Sequence, residues 1–264
     1  MLWWKAVILG IVEGATEFVP VSSTGHLILV SAIVDYPEPQ RVTFEIFIQF
    51  GAILAVVWLY RHHLWYIVAN AASNLQARSF LGKLALAFAP AAGIGFLFHR
   101  VIEASFFNPT TVAYALIGGG IVLALVDRGR SQRHTLELEQ LTWKQAFYVG
   151  LAQTFSLVPG VSRAAATIVG GLLSGLSRPV ATQFSFYLSI PTLAAASLYS
   201  LFKARHSLVM DDAFALTVGF VTAFLAALLV VKGFIRFVQH HSFLPFALYR
   251  VVLGAIVLLY LASS

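Results

Sequence analysis

Six segments of this 264-residue chain are almost entirely apolar, and each is long enough to cross a lipid bilayer. A transmembrane helix needs roughly 20 apolar residues. Only 11% of the residues are charged, whereas soluble domains carry about 25%. We therefore predict an all-α integral membrane protein with about six transmembrane helices, over residues 42–61, 80–102, 110–127, 180–202, 213–232 and 244–262.

The net charge of +6 does not indicate nucleic acid as a partner. The basic residues are scattered among short loops, a distribution typical of membrane orientation, so the expected partner is the lipid bilayer. The chain has no cysteine, which excludes disulfides, thiolate zinc sites and cysteine nucleophiles. No cleavable signal peptide is expected, because the apolar start runs directly into Glu13 and Glu17.

Two further apolar regions, residues 1–34 and 144–177, are each interrupted near the middle. The interruptions are Pro-Val-Ser-Ser at residues 20–23 and Pro-Gly-Val-Ser at residues 159–162. Each pattern predicts a helix, a break and a second helix, because proline and serine end one helix and begin the next. The alternative is that each region crosses the membrane once or twice.

The two interrupted regions share a weak ordered similarity. In each region a serine, Ser22 or Ser162, follows a glycine by twelve residues, and three apolar spans follow the region. We interpret the chain as one membrane domain with two homologous halves, residues 1–130 and 131–264. If each broken pair is re-entrant, each half crosses three times and the second is inverted. Inverted-topology repeats with broken helices are typical of many transporters.

The count of lysines and arginines under this topology predicts the orientation, because cytoplasmic loops carry the excess. The outer face would receive Lys5, Arg41, Arg100, Lys203 and Arg205. The cytoplasmic face would receive roughly twice as many, namely Arg61, Arg78, Lys83, Arg128, Arg130, Arg133, Lys144, Arg178, Lys232 and Arg236. The first broken region would then open outward and the second toward the cytoplasm.

Ionisable residues within a membrane are costly and are candidates for function. Glu13 and Glu17 lie four residues apart, so on a helix they share one face. Two adjacent carboxylates repel each other unless a divalent cation or a proton lies between them. The alternative is structural, with one glutamate capping a helix and the other bonded to a neighbouring helix.

Hydroxyl side chains cluster after the first break, at Ser22, Ser23 and Thr24, where the second short helix should begin. A helix start with free N–H groups and hydroxyls is suited to phosphate. His26 follows Ser23 by three residues, within reach of a proton transfer. Taken separately, the hydroxyls are common helix caps and a lone histidine is usually a hydrogen-bonded structural residue.

The second break supplies Ser162 as a cap and Arg163 as a clamp that could hold a phosphate in bidentate fashion. The alternative for Arg163 is a salt bridge to Glu13 or Glu17.

Four further polar residues are weaker signals of function. Glu45 and Gln49 share a face of the first full span, either lining the site or forming an interhelical hydrogen bond. Arg250 and Lys83 lie near predicted span ends, where we expect them to extend to the interface.

Phosphoryl transfer is the chemistry that these candidates indicate together. They comprise two carboxylates suited to a divalent metal, a serine with a histidine at a helix start, and an arginine from the other half. In a chain that is nearly all membrane, a lipid phosphate or diphosphate is the expected substrate. A carrier that moves such a lipid, a transporter or flippase, is the rival class, since it could use the same residues.

The sequence resembles a known family at residues 13–26 and 159–163, and also at residues 44–56 and 184–191. These motifs closely resemble those of the undecaprenyl-diphosphate phosphatase family, the bacitracin-resistance proteins of bacteria. The resemblance implies hydrolysis of undecaprenyl diphosphate to the monophosphate carrier lipid, which is recycled for peptidoglycan synthesis. It also implies a site on the outer face of the cytoplasmic membrane and a divalent cation, magnesium or calcium.

Carried over to matching positions, the resemblance makes Glu13 and Glu17 the metal and acid–base carboxylates, and Ser23 and His26 the reacting centre. Arg163 would bind phosphate, supported by the hydroxyls of Ser22, Thr24 and Ser162, with Glu45, Gln49 and Thr167 further out. Either Ser23 attacks phosphorus, or His26 or Glu17 activates a water. A homodimer is compatible with this assignment.

One departure from the family concerns the second motif, which usually continues Ser-Arg-Ser-Gly. This chain has Ala164 and Ala165 after Arg163. A hydroxyl beside the arginine is therefore missing, which leaves open an altered rate or lipid preference.

Overall fold

The computed structural model describes residues 2–128, 137–205 and 213–263. The regular secondary structure within these ranges is helical, with no strand. The α-helices are α1 (Trp3–Thr16), α2 (Ser23–Ile33), α3 (Glu38–Ala69), α4 (Leu75–Phe106), α5 (Pro109–Arg128), α6 (Trp143–Gln153), α7 (Arg163–Leu173), α8 (Arg178–Ala204), α9 (Ala213–His240) and α10 (Leu244–Ser263).

The six predicted apolar segments are confirmed as helices long and apolar enough to cross a membrane. They correspond to α3, α4, α5, α8, α9 and α10. Several helices are longer than their apolar segments; α3, for example, continues to Ala69. The apolar pattern predicts only the part of a helix that fits the hydrocarbon layer, and a helix can continue into the headgroup region. The protein is therefore a multi-pass membrane protein.

The two predicted breaks are also confirmed. The first lies between the end of α1 at Thr16 and the start of α2 at Ser23. The second follows Gln153, passes through a 3-10 turn over Thr154–Leu157, and ends where α7 begins at Arg163.

The same serine cap begins the helix after each break. The Ser22 Oγ accepts from the Gly25 N–H at 3.4 Å, and the Ser162 Oγ accepts from the Ala165 N–H at 3.2 Å. Both serines have a φ of 72°, a region that side chains with a Cβ seldom occupy. The backbone therefore adopts one unusual geometry at both breaks.

Equivalent features recur at a constant spacing along the chain. Helices α1, α2 and α3 begin at positions 3, 23 and 38, whereas α6, α7 and α8 begin at positions 143, 163 and 178. The positive φ angles at Ser22 and Asp35 recur, with the same offset, at Ser162 and Gly175. The boundary expected near residue 130 lies outside the described residues, as do Arg130 and Arg133.

Glycines bring the first helix of each broken pair close to a long helix. A Cβ at Gly14 of α1 would collide with the Ala223 carbonyl oxygen of α9. A Cβ at Gly150 of α6 would lie 2.6 Å from the Ala87 carbonyl oxygen of α4. Small residues at such crossings are the usual means by which helices pack closely in membranes. These crossings fix the position of α1 against α9 and of α6 against α4.

The Gly14 crossing generates a stability prediction. We expect Gly14→Ala to lower the free energy of unfolding by about 1–3 kcal/mol, because the added methyl group meets backbone that cannot move aside. Thermal unfolding in detergent measures the change. The control is Gly233→Ala in α9, where a Cβ has no atom within 4 Å. Equal melting temperatures for the two variants would contradict the predicted close packing.

Candidate active site

A buried ion pair joins the two breaks. Arg163 lies at the start of α7, and Glu17 lies just beyond the end of α1. The Arg163 Nη2 donates to the Glu17 Oε1 at 3.2 Å. Glu17 is 7% exposed and Arg163 is 8% exposed. The same nitrogen donates to the Glu17 backbone oxygen at 3.4 Å. The salt bridge that the sequence left open as an alternative is therefore present, and the partner of Arg163 is Glu17, not Glu13.

Other contacts fix the orientation of the Arg163 guanidinium. Its Nη1 donates to the backbone oxygen and Oγ of Ser185 in α8, at 3.2 and 3.3 Å. Its Cζ lies 5.6 Å from the centre of the Phe18 ring. Its Nε is buried and has no hydrogen-bond partner among the described residues. One N–H donor of the guanidinium is thus left without an acceptor among these residues.

Ser185 supplies a hydroxyl beside Arg163, where the second motif of this chain has none. Ala164 and Ala165 are buried, at 0% and 3% exposure. The Ser185 hydroxyl, supplied by another helix, contacts Arg163 and lies 2.7 Å from the Thr167 Oγ1. A hydroxyl beside the arginine is therefore present, although it does not come from the motif itself.

The other oxygen of Glu17 contacts Ser23. The Ser23 Oγ donates to the Glu17 Oε2 at 2.5 Å. One carboxylate thus accepts from Arg163 and Ser23 on its two oxygens. A hydroxyl bonded to a carboxylate can lose its proton to that carboxylate as it attacks an electrophile.

His26 belongs to a separate set of hydrogen bonds. Its Nδ1 lies 2.7 Å from the Ser22 backbone oxygen, one turn earlier in the chain, and its Nε2 lies 2.6 Å from the Tyr249 hydroxyl of α10. The expected pairing of Ser23 with His26 is therefore not seen, because both ring nitrogens have other partners and the Ser23 hydroxyl points to Glu17.

Glu13 lies beside this centre, is 2% exposed, and is near enough to Glu17 and Glu45 for their carboxylates to repel it. Across the described ranges it accepts no hydrogen bond from another side chain. Those ranges also contain no group of three or more His, Asp or Glu side chains that could hold a metal. Glu13 and Glu17 could therefore supply only part of a cation's coordination, with water and ligand oxygens supplying the rest.

The remaining candidates lie away from the Glu17–Arg163 ion pair or have other hydrogen-bond or ion-pair partners. Thr24 is exposed on the first turn of α2. Glu45 is partly exposed and lies 3.6 Å from the Arg41 Nε. Gln49 accepts from the Ser197 Oγ at 2.5 Å, which is the interhelical hydrogen bond left open as an alternative.

The prediction that Arg250 extends to the interface is wrong. Its side chain is 0% exposed, and it donates to the carbonyl oxygens of Pro20 and Gly160 at 3.2 and 3.1 Å. Further donations reach Ala115 and Leu116 of α5. The physical reason is that carbonyls within a break have no helical partner and need a donor. Lys83, by contrast, remains partly exposed.

Sequence reasoning missed three residues that hold the site together: Arg250, Ser185 and Tyr249. Only Ser185 carried a signal, because it lies within the motif at residues 184–191 and occupies the position in the second half that is equivalent to Glu45 in the first. Arg250 and Tyr249 come from the last helix, at the opposite end of the chain from the first break, and no local pattern marks them.

Comparisons with known proteins identify a family and several relatives of similar sequence. The family described as "Bacitracin resistance protein BacA" matches residues 6–256. "Undecaprenyl-diphosphatase 2" of Rhodospirillum rubrum is 49% identical over 255 residues, covering 96% of this chain and 93% of the relative. "Undecaprenyl-diphosphatase" of Aromatoleum aromaticum is 47% identical over 253 residues, covering 96% and 92%. "Undecaprenyl-diphosphatase" of Pseudomonas fluorescens is 45% identical over 254 residues, with the same coverage.

The family match spans nearly the whole chain, both breaks included, and the relatives are similar over almost their full length. The chain therefore belongs to the bacitracin resistance protein BacA family.

Proposed function

We propose that this protein hydrolyses undecaprenyl diphosphate to undecaprenyl phosphate and inorganic phosphate. The observation that carries the proposal is the Glu17 carboxylate, which binds the Ser23 hydroxyl on one oxygen and the Arg163 guanidinium on the other. These three groups can serve as a base, a nucleophile and a phosphate-binding cation. The names of the relatives, undecaprenyl-diphosphatase, supply the substrate.

In the mechanism we favour, the Ser23 Oγ attacks the terminal phosphorus and its proton passes to the Glu17 Oε2. The bond from that phosphorus to the bridging oxygen breaks, and undecaprenyl phosphate leaves. Water then hydrolyses the serine phosphate, releasing inorganic phosphate and restoring the hydroxyl. Arg163 stabilises the charge on the transferred group, and the N–H groups at the start of α2 add to this. In the alternative mechanism, Ser23 only binds phosphate while a water attacks.

A divalent cation, magnesium or calcium, fits this site as a cofactor. Glu13 and Glu17 would hold it, with phosphate oxygens of the substrate and water as further ligands. When bound, the cation would supply charge neutralisation for the diphosphate. The support is Glu13, a buried carboxylate without a hydrogen-bonded side-chain partner among the described residues and with two other carboxylates nearby.

We propose further that the two halves are inverted-topology repeats whose broken pairs are re-entrant. The constant spacing between equivalent helix starts and between equivalent positive φ angles supports the duplication. Charge counting supports an outward-opening first break in the bacterial cytoplasmic membrane. At such a site the enzyme would return the carrier lipid to peptidoglycan synthesis, and so confer resistance to bacitracin.

A lipid transporter or flippase is the weaker candidate. A carrier needs donors and positive charge around the phosphate but has no use for a hydroxyl bonded to a carboxylate. Glu17 and Ser23 form such a pair, and the relatives carry the name of a phosphatase. Both observations favour hydrolysis.

The ion pair generates the first prediction on activity. We expect Arg163→Ala to lower phosphate release by about 100-fold to 1,000-fold, because the charge on the transferred group loses its fixed partner. Glu17→Gln should lower it by about 100-fold or more, because the base is lost. Phosphate release from a C55 or C15 prenyl diphosphate, by purified protein in detergent, measures both. Arg205→Ala and Glu103→Gln, at exposed positions, are the matched controls. Normal release by either site variant would contradict the proposal.

The serine generates a second prediction. We expect Ser23→Ala to lose nearly all turnover, and rapid acid quenching of the wild type with ³²P-labelled substrate to capture a phosphoserine at residue 23. Ser73→Ala, in an exposed turn, is the control. If Ser23→Ala retains near-normal turnover, Ser23 is not the nucleophile and the water mechanism is correct.

The cation generates a third prediction. We expect EDTA to abolish phosphate release and added magnesium or calcium to restore it. Glu13→Gln should raise the cation concentration needed for half-maximal release, because one ligand is lost. Titration of the chelated enzyme with each cation measures this concentration. Full phosphate release in the presence of EDTA would show that hydrolysis does not require a divalent cation.

A further inference from the structure

Arg250 of α10 is bonded to equivalent points of the two breaks. Its Nη1 donates to the Pro20 carbonyl oxygen at 3.2 Å, and its Nη2 donates to the Gly160 carbonyl oxygen at 3.1 Å. Pro20 lies three residues before Ser23, where α2 begins. Gly160 likewise lies three residues before Arg163, where α7 begins. One guanidinium therefore holds the same position of each break.

Helix α5 fixes the Arg250 side chain itself. The guanidinium also donates to the carbonyl oxygens of Ala115 and Leu116, at 3.2 and 3.4 Å. Gly119, on the same helix, leaves the space that the guanidinium occupies, because a Cβ there would collide with the Arg250 Nη2. At Gly118 a Cβ would have no atom of the described chain within 4 Å. The room for the arginine thus depends on one of two adjacent glycines.

The ion pair between Glu17 and Arg163 also joins the breaks, but the mechanism we favour weakens it. The Ser23 proton passes to Glu17, so the carboxylate becomes a neutral acid while Arg163 stabilises the transferred phosphoryl group. A hydrogen bond to an ionised partner is roughly twice as strong as one between neutral groups. The Arg250 bonds end on backbone carbonyls, whose charge does not change during this step.

We propose that Arg250 is a positioning residue, which keeps Ser23 and Glu17 of the first break aligned with Arg163 of the second while the proton is transferred. This inference rests on the proposed hydrolysis. Arg250 makes and breaks no covalent bond and gives up no proton. A misplacement of about 1 Å at a reacting centre can lower a rate about 100-fold. Because Arg163 still binds the phosphate, the effect of losing this alignment falls on kcat and not on KM.

The first test moves the Arg250 guanidinium without removing it. Gly119→Ala adds a Cβ that collides with the Nη2, whereas Gly118→Ala adds the same methyl group in open space. On a C15 prenyl diphosphate we expect Gly119→Ala to lower kcat by about 10-fold to 100-fold with KM unchanged. Gly118→Ala should match the wild type. An unchanged kcat in Gly119→Ala, a change in KM alone, or an equal fall in both variants would overturn the proposal.

The second test measures the alignment of the breaks without hydrolysis, so its failure is distinct from a failure of the proposed function. The chain has no cysteine, so spin labels attach only at introduced cysteines. Thr24→Cys with Phe155→Cys places labels at exposed positions beside the two breaks. Leu97→Cys with Leu198→Cys is the control pair, on α4 and α8.

We expect Gly119→Ala to shift or broaden the distance distribution across the breaks and to leave the α4–α8 distribution unchanged. No change across the breaks would overturn the proposal. A change in both pairs would also overturn it, because Arg250 would then support the fold as a whole.

The third test separates position from charge. Arg250→Lys keeps the positive charge, but a single ammonium nitrogen does not reproduce the planar fork that reaches both breaks and α5. We expect kcat to fall about tenfold or more with KM unchanged, and the distance across the breaks to change as in Gly119→Ala. A wild-type kcat in Arg250→Lys would show that the charge alone is sufficient, and would overturn the proposal.

Discussion

A helix broken among apolar residues leaves backbone carbonyls and N–H groups without partners, and the structure depends on satisfying them. The N–H groups at the starts of α2 and α7 are capped by Ser22 and Ser162. Carbonyls of both breaks accept from one buried side chain, Arg250. Unpaired backbone groups cost several kcal/mol each in hydrocarbon. Serine caps and a guanidinium from the last helix therefore stabilise both breaks.

The same breaks make the chemistry available. Glu17 and Arg163 are both buried, and a buried charge is costly unless it is paired and hydrogen-bonded. Each neutralises the other across the junction, and Ser23 and Ser185 add hydrogen bonds to Glu17 and Arg163 respectively. An entering phosphate would meet a guanidinium that Ser185 already holds in place, and the Ser185 hydroxyl is itself bonded to Thr167. The groups that stabilise the junction are therefore the groups that would bind and transform the substrate.

Local patterns predicted much of this structure. Apolar length indicated the six spans, and proline with serine indicated both breaks and their caps. The spacing of Glu13 and Glu17 indicated carboxylates at membrane depth. The partners were harder to predict, because they depend on which helices meet. The sequence suggested His26 as the hydrogen-bond partner of Ser23, whereas in the fold that partner is Glu17. It also placed Arg250 at the membrane interface, whereas its guanidinium is buried and donates to carbonyl oxygens of both breaks. Long-range contacts of this kind leave no periodicity in the chain.

The constant spacing between the two halves puts Ser23 and Arg163 at the same structural position, the first helical residue after a serine cap. The first position carries a hydroxyl and the second a guanidinium, and at the same spacing Glu13 corresponds to Gln153. The hydroxyl and the guanidinium at this position come together where the two breaks meet, on the Glu17 carboxylate. Neither broken pair could therefore assemble this junction by itself.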